Sequence, residues 1–335
     1  MRNDTRVKFN AYLQQLASLS SVPSAEQKFT VSPTTQQRLE TRMQESSAFL
    51  QAISMVGVTE QSGSKVGIGV SGPIAGRTNT AANDRAPRDV GTLDEFGYTC
   101  KQTNFDTYVT YAQLDAWAKF PDFQARLSAA ILRQQALDRI MIGFNGTSAA
   151  AETDRAANPL LQDVNIGWLQ KIRTEAATHV MTEGATAGKV TYGTGGDYAN
   201  LDALVYDAVM MLAPWQRENP DLRVIVSRDL FHDKYFPLLN STTDSPVNQL
   251  AADMVISQKR IGGLQGVGVP FFPANKILIT TLKNLSLYWQ ESARRRAVQD
   301  NPKRDRIENY ESSNDAYVVE DYDQVALVEN IEKAA

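Results

Sequence analysis

The chain has 335 residues, with 34 Lys and Arg against 38 Asp and Glu and a formal net charge of −4. That balance argues against a general nucleic-acid binder, which needs a basic face to neutralise phosphates. The single cysteine, Cys100, excludes an internal disulfide framework and a Cys-based zinc site, and His179 and His232 stand in no metal-ligand spacing.

The first predicted element is a helix over 5–20 that places Val7, Phe9, Tyr12, Leu13, Leu16 and Leu19 on one face. Charges interrupt its apolar positions, so it lacks the core of a signal peptide, and no run of 18 apolar residues follows anywhere. The expectation is a chain made and folded in a cytosol, with no membrane partner. The polar linker SSVPSAEQ marks the helix as a docking or removable arm. Ser32-Pro33 then starts a second helix, expected to run through Leu39 and Met43 toward Phe49. Residues 53–70 carry two apolar runs about Gln61-Ser62-Gly63-Ser64 and read as a β-hairpin. From Ser71 to Asn104 the chain is polar and without period, and loops of that length are usually functional.

PDFQARLSAAILRQQALDRIMIGFNG predicts a long helix with Pro121 and Asp122 in its first turn and its end near Gly143 and Gly146. It would span roughly 35 Å at 1.5 Å per residue. A shorter helix is expected over 161–177. After YGTGGDYAN, Asp197 is expected to cap a helix bearing Leu201, Leu204, Val205, Ala208 and Met211. The strand LRVIVS, a helix through DLFHDKYFP, another at NQLAADMV, and strands near VGVPFF, KILITTL and LSLYWQ complete an α/β subdomain. The C-terminal stretch reads as three short antiparallel strands separated by SSND and DYDQ turns.

Gly67-Ile68-Gly69-Val70-Ser71-Gly72 matches the G-x-G-x-x-G dinucleotide fingerprint, whose mechanism needs a strand before the glycines and a helix after them. Here Val66, Ile68 and Val70 alternate with Gly67, Gly69 and Ser71, the period of a strand. Pro73 and a polar stretch follow, and Asp89, 20 residues beyond Gly69, comes after Pro87 in a loop. An NAD-dependent oxidoreductase built on Gly67, Gly69 and Gly72 is therefore the weaker reading, and no cofactor is expected. Glycines along one strand face suit close approach by another element.

No nucleophile elbow, P-loop or EF-hand occurs, so no catalytic residues are expected. The basic run Arg294-Arg295-Arg296, with Lys303, Arg304 and Arg306, precedes an acidic stretch that includes Glu308 and Glu311. Opposed blocks of this kind favour salt bridges, within a chain or between copies, over nucleic-acid binding. Tyr288, Trp289, Tyr310, Tyr317 and Tyr322 read as strand residues facing a core rather than a stacking platform.

With these pieces in order, the sequence resembles the major capsid proteins of Peduovirus-type tailed phages. The resemblance is carried by FNAYL (9–13), KFTVSPT (28–34), MQESSAFL (43–50), KVGIGVSGPIA (65–75), LDAWAKFPDFQ (114–124) and NPLLQDVNIGWLQKIR (158–173). It continues through GGDYANLDALVYDA (195–208), DKYFP (233–237), LAADMVISQKRIGGL (250–264), LKNLSLYW (282–289) and NPKRDRIENYESSNDAYVVEDY (301–322). The resemblance implies an α+β chain with the capsid fold named after the Hong Kong phage. Residues 1–50 would be an N-terminal arm and 51–105 an extended loop with its hairpin base. Residues 106–194 and 291–335 would form a peripheral domain, and 195–290 an axial domain. It further implies removal of about the first thirty residues near Lys28, Phe29 and Thr30 by an internal scaffold-protease. The expected partners are copies of the chain in hexamers and pentamers, a portal protein and a decoration protein, around double-stranded DNA held without sequence-specific contacts. Gly67, Gly69, Gly72, Arg77, Arg85 and Arg88 are the expected inter-subunit loop residues. Arg294, Arg295, Arg296, Lys303, Arg304, Glu308 and Glu311 are the expected inter-subunit charge contacts. The shell protein of a bacterial nanocompartment with the same fold stands as the alternative.

Overall fold

The computed structural model describes residues 1–334 apart from 66–68, 71–74, 76, 83, 88–90, 93–95, 118–122 and 240–258. The chain opens with α1 (Asn3–Leu19), β1 (Phe29–Thr30), α2 (Pro33–Glu45), α3 (Ala48–Ala52) and β2 (Ser54–Val58). Pro33 stands in the first turn of α2, where its missing N–H costs nothing. The helix does not continue to Phe49. The Ser46 hydroxyl donates to the Met43 carbonyl at 2.7 Å, and Ser47 turns extended before α3 begins.

Four short strands follow: β3 (Ser62–Gly63), β4 (Gly69–Val70), β5 (Gly91–Thr92) and β6 (Tyr98–Thr99). Ser62 faces Thr99, and seven residues outward on both arms Gly69 faces Thr92. The two ladders thus share one antiparallel register, which the Cys100 amide extends inward by donating to the Gln61 carbonyl at 2.7 Å. The hairpin expected between the two halves of 53–70 does not form. Instead β2 runs parallel to β15 (Leu285–Gln290), and the outgoing arm pairs with residues from Gly91 onward that read as loop. A local turn signal at Gln61–Ser64 lost to a partner in the returning arm.

Next come β7 (Lys101–Asn104), β8 (Thr107–Thr110), α4 (Tyr111–Trp117) and the long α5 (Phe123–Asn145). The expected helix start at Pro121 and Asp122 lies outside the described residues. The buried half of α5 is its second half, where Ala136, Ile140, Ile142 and Phe144 join the core. Helix α6 (Trp168–Glu175) begins later than expected, because Leu161 sits at φ 58° and Asn165 donates to the Asp315 carbonyl. Trp168 is the centre of this layer. Its indole N–H donates to the Ser286 carbonyl at 2.9 Å, and its ring lies edge-on to Phe144 and Tyr317. A Cβ on Gly143 would lie 2.2 Å from that ring, so this helical glycine is set by close approach.

The remaining elements are β9 (Val180–Met181), β10 (Val190–Tyr192), α7 (Leu201–Ala208), β11 (Leu222–Val226), α8 (Arg228–Leu239), β12 (Arg260–Ile261), β13 (Leu264–Val267) and β14 (Ile277–Thr281). After β15 come β16 (Arg295–Asn301), β17 (Arg306–Val319), β18 (Ala326–Val328) and β19 (Ile331–Lys333). Asn200, not Asp197, caps α7 by accepting from the Ala203 amide. Asp197 instead accepts from the Ala185 and Thr191 amides and the Thr191 hydroxyl. The helix expected at NQLAADMV lies outside the described residues.

Two sheets organise the chain. The first runs β1-β16-β17-β15-β2, with β7 and β8 also paired to β17. Here β17 is one 14-residue strand, so SSND is strand interior rather than a turn. The second runs β12-β13-β11-β14-β18-β9, flanked by the parallel pair β10-β19. Sheet membership crosses the expected bounds at 195 and 290. Residues 180–192 and 326–333 pair with or beside the second sheet, whereas 285–290 belongs to the first. Strands β14 and β15, almost contiguous in sequence, serve different sheets.

Candidate assembly surfaces

Three features hold the expected assembly residues: the ribbon formed by β3–β6 and β4–β5, the N-terminal arm and the charged residues around β16 and β17. The ribbon base meets Tyr322, in the turn after β17, through aromatic contacts. The Lys65 ammonium lies 4.1 Å from the centre of the Tyr322 ring, and Phe96 meets the same ring edge-on at 6.1 Å. Arg77 and Arg85 are exposed on the excursion between the arms, and Gly69 is paired in β4. Gly67, Gly72 and Arg88 lie outside the described residues. Among the described residues the next helix after Val70 is α4 at Tyr111.

The arm lies on the first sheet. Phe9 of α1 is buried with Val298 and Ile307, while Val7 and Leu19 of the same helix are exposed, so the expected apolar face is only partly used. Arg6 pairs with Asp300, which also accepts from the Tyr111 hydroxyl. Burial pushes the Asp300 carboxyl up, but those two partners hold it below 3.8. The candidate cleavage stretch is a paired strand, with Phe29 facing Arg296 and Thr30 facing Arg295 on the edge of β16. Phe29 is buried, and Lys28 and Thr30 are exposed.

The charge blocks are not one surface. Arg294 is fully buried and donates from Nη1 to Glu40 Oε1 at 2.7 Å, from Nε to Glu311 Oε1 at 2.8 Å and from Nη2 to Gln135 Oε1 at 2.8 Å. Arg139 of α5 forks onto Asp315 through two 2.9 Å bonds and reaches Glu40 with Nη1. Two guanidiniums thus face three carboxylates across α2, α5, β16 and β17. Burial pushes Glu40 and Glu311 up, but the arginines outweigh it and hold both below 4.5. For Asp315, burial together with the Glu40 charge outweighs Arg139, and its carboxyl is raised above 3.8. Arg294 and Glu311 are therefore engaged inside the chain, a correction to their expected inter-subunit role. Glu308 is also buried, bonded to Arg306, Tyr310 and Asn301. Arg296 is half-buried on Asn309 and Tyr12, and Arg295, Lys303 and Arg304 are exposed.

Sequence reasoning placed Asp315 in the acidic stretch but missed Glu40, Gln135 and Arg139. Polar residues at 135 and 139 on the apolar side of α5 were the available signal, because such positions are buried only when partnered. Cys100 is buried, and burial, then Asp315, pushes its thiol up to about 12. His179 contacts the Val325 carbonyl at 3.0 Å, and His232 is exposed beside Asp233. Tyr288, Trp289 and Tyr317 are core residues, whereas Tyr310 is exposed. Among the described residues no cluster of three His, Cys, Asp or Glu could hold a metal, and no helix is long and apolar enough to cross a membrane.

A long helix laid on one sheet, a second α/β lobe, a strand-forming arm and a projecting ribbon define a mixed helix-and-sheet phage capsid subunit of the Hong Kong phage type. The chain matches a subunit of the satellite phage P4 procapsid including size determination (Sid) protein with a TM-score of 0.84 and 48% identity, covering 100% of this chain and 99% of that one. The family model "Phage major capsid protein, P2 family" matches residues 8–331, and the chain belongs to that family. It is 52% identical to the capsid protein of Escherichia phage P2 over 99% of this chain and 95% of the relative. It is 44% identical to the major capsid protein of Serratia phage KSP20 over 99% and 97%. The family is one of structural capsid proteins of the virion.

Proposed function

We propose that the chain assembles with copies of itself, as hexamers and pentamers, into a closed icosahedral shell around double-stranded phage DNA. The observation that carries this is the end-to-end match to a procapsid subunit, in which body, arm and ribbon are all covered. The slightly acidic chain suits a shell, which encloses DNA without gripping its phosphates. Work is done by interface area, with no catalysis by this chain. The ribbon, with Arg77 and Arg85 exposed, overlaps a neighbouring subunit, and Gly67, Gly69, Gly72 and Arg88 are assigned to the same contact from the sequence. Arg295, Lys303 and Arg304, exposed at the two ends of β16, supply the charge contacts between copies. An internal scaffold-protease removes the arm near Lys28–Thr30. The portal and decoration proteins are further partners, and a size-determining protein is one more, by analogy with the P4 procapsid.

Electron microscopy of the purified chain, alone and co-expressed with the scaffold, tests the reading. Capsomers or shells are expected, and a monodisperse small oligomer under both conditions would sink it. Mass spectrometry of particle-derived protein tests the processing, because intact residues 1–30 there would refute it.

A further inference from the structure

The arm ahead of Lys28 is held by contacts that a break in the chain leaves untouched. Phe9 is buried with Val298 and Ile307, and Tyr111 and Leu114 flank it. Arg6 pairs with Asp300, the Arg2 amide donates to Asp115 at 2.9 Å, and Arg296 donates to the Tyr12 hydroxyl at 3.0 Å. Farther along, Leu13, Leu16, Ala17, Val22 and Ala25 pack with Phe29, Val31 and Leu39. The Val298 amide also donates to the Ala25 carbonyl at 3.0 Å. None of these interactions passes through the peptide bonds of Lys28–Thr30.

The fit is nevertheless loose. A cavity of about 420 Å³ lies beneath α1, lined by Phe9, Tyr12, Val109, Leu127, Ile131 and Ile307 among others. A second of about 390 Å³ lies between α1, α2 and α5. Both clefts open to solvent along α1, so the helix is seated in a surface groove rather than enclosed as core.

We propose that residues 1–27 occupy a helix-in-groove site on the body of this chain and stay bound after the chain is cut near Lys28. Vacating the groove is then a step separate from cleavage. The inference rests on the reading that the chain is processed there. The groove is built by β8, α4, the first half of α5, β16 and β17. Asp115 and Asp300 face the first turns of α1, so the site selects an amphipathic helix that is cationic at its N-terminal end. Its occupant is this chain's own α1.

The test uses the full chain with a recognition sequence for a site-specific protease inserted between Gln27 and Lys28, both exposed. After folding and cutting, the N-terminal fragment is expected to co-elute with the body on gel filtration. Immediate separation of the fragment overturns the proposal. In the cut chain, Phe9→Ala is expected to speed release by at least about a hundredfold and Asp300→Asn by about two- to fivefold. Unchanged release in both variants would place the retention elsewhere and also overturns it. Tyr12→Phe removes only the hydroxyl that Arg296 reaches, and near-ultraviolet circular dichroism of the uncut variants reports whether each is folded. A few-fold faster release from folded Tyr12→Phe supports the groove, and no change counts against it. The added protease acts whether or not the natural chain is processed. Intact arms in particles would therefore defeat the processing reading alone, and early loss of the fragment would defeat retention alone.

Discussion

Replacing Arg294 with methionine keeps most of the side-chain volume and removes a guanidinium that serves Glu40, Glu311 and Gln135. Glu40 would retain Arg139, and Glu311 would retain the Gln135 amide at 3.0 Å, but two guanidiniums against three carboxylates become one against three. Removing one partner of a buried pair costs about 3–5 kcal/mol, and the loss of cation to two carboxylates puts Arg294→Met at the upper end, about 5. Asp315→Asn acts on the sign in excess. The amide oxygen can still accept from Arg139, and the deleted charge is the one that burial and Glu40 already disfavour. Its cost should stay under about 1.5 kcal/mol. Urea unfolding followed by tryptophan fluorescence reads both, provided the m-values agree. An Arg294→Met cost no larger than that of Asp315→Asn would refute the charge-balance argument.

The same cluster makes stability pH-dependent in two opposite senses. Glu40 and Glu311 are held low in the folded chain, so their contribution is full above 4.5 and is lost as pH falls through their depressed values. Asp315 is raised, so the folded chain binds its proton more tightly than the unfolded one. Its contribution is full below 3.8 and is lost as pH rises through the raised value. On acidification from neutral, the urea midpoint should first gain from Asp315 and then collapse as the glutamates protonate. Asp315→Asn should flatten the first limb and keep the second; an unchanged first limb would assign it to another group.

Gly143→Ala should destabilise by about 3 kcal/mol or more, although alanine normally strengthens a helix, because its Cβ would meet Trp168 at 2.2 Å; a raised melting temperature would contradict this. Cys100 should resist thiol reagents at pH 8 until the chain unfolds, given burial and a thiol near 12, and rapid labelling of the native chain would refute that. Phe96→Ser should loosen the ribbon base, seen as faster amide exchange at Ser62, Gly63, Tyr98 and Thr99. Unaltered exchange there would deny the Tyr322 contact a clamping role.

What could be read from sequence divides by the range of the interaction that decides it. Ser32-Pro33, the run LRVIVS and the strands 277–281 and 285–290 carry their signals locally, and each element formed. SSND looks like a turn by composition, yet it lies within a 14-residue strand because Asp315 is satisfied by Arg139, 176 residues away. The outgoing arm of the ribbon likewise takes its partner from beyond a long excursion, which no local period announces. The charged residues failed for the same reason. Arg294 and Arg295 are neighbours, but one side chain turns to the interior and the other to solvent, and the positions of Glu40, Glu311 and Gln135 decide which.

The position of the candidate cleavage stretch follows from two kinds of attachment. Before Lys28, the polar contacts are surface ones such as Arg6–Asp300, with the Arg6 side chain 41% exposed, and exposed ion pairs contribute about 0–1 kcal/mol each. After Thr30, Glu40 locks α2 to α5 and β16 through two fully buried guanidiniums, where breaking a pair costs several kcal/mol. A cut at Lys28–Thr30 therefore falls on the boundary between chain that can leave and chain that cannot. A cut beyond Glu40 would detach a carboxylate from the cluster and risk the body, and a cut before Phe9 would leave most of the arm in its groove. If the arm is processed, a cut in the short strand β1 or in the linker ahead of it would separate these two kinds of attachment and spare the buried cluster.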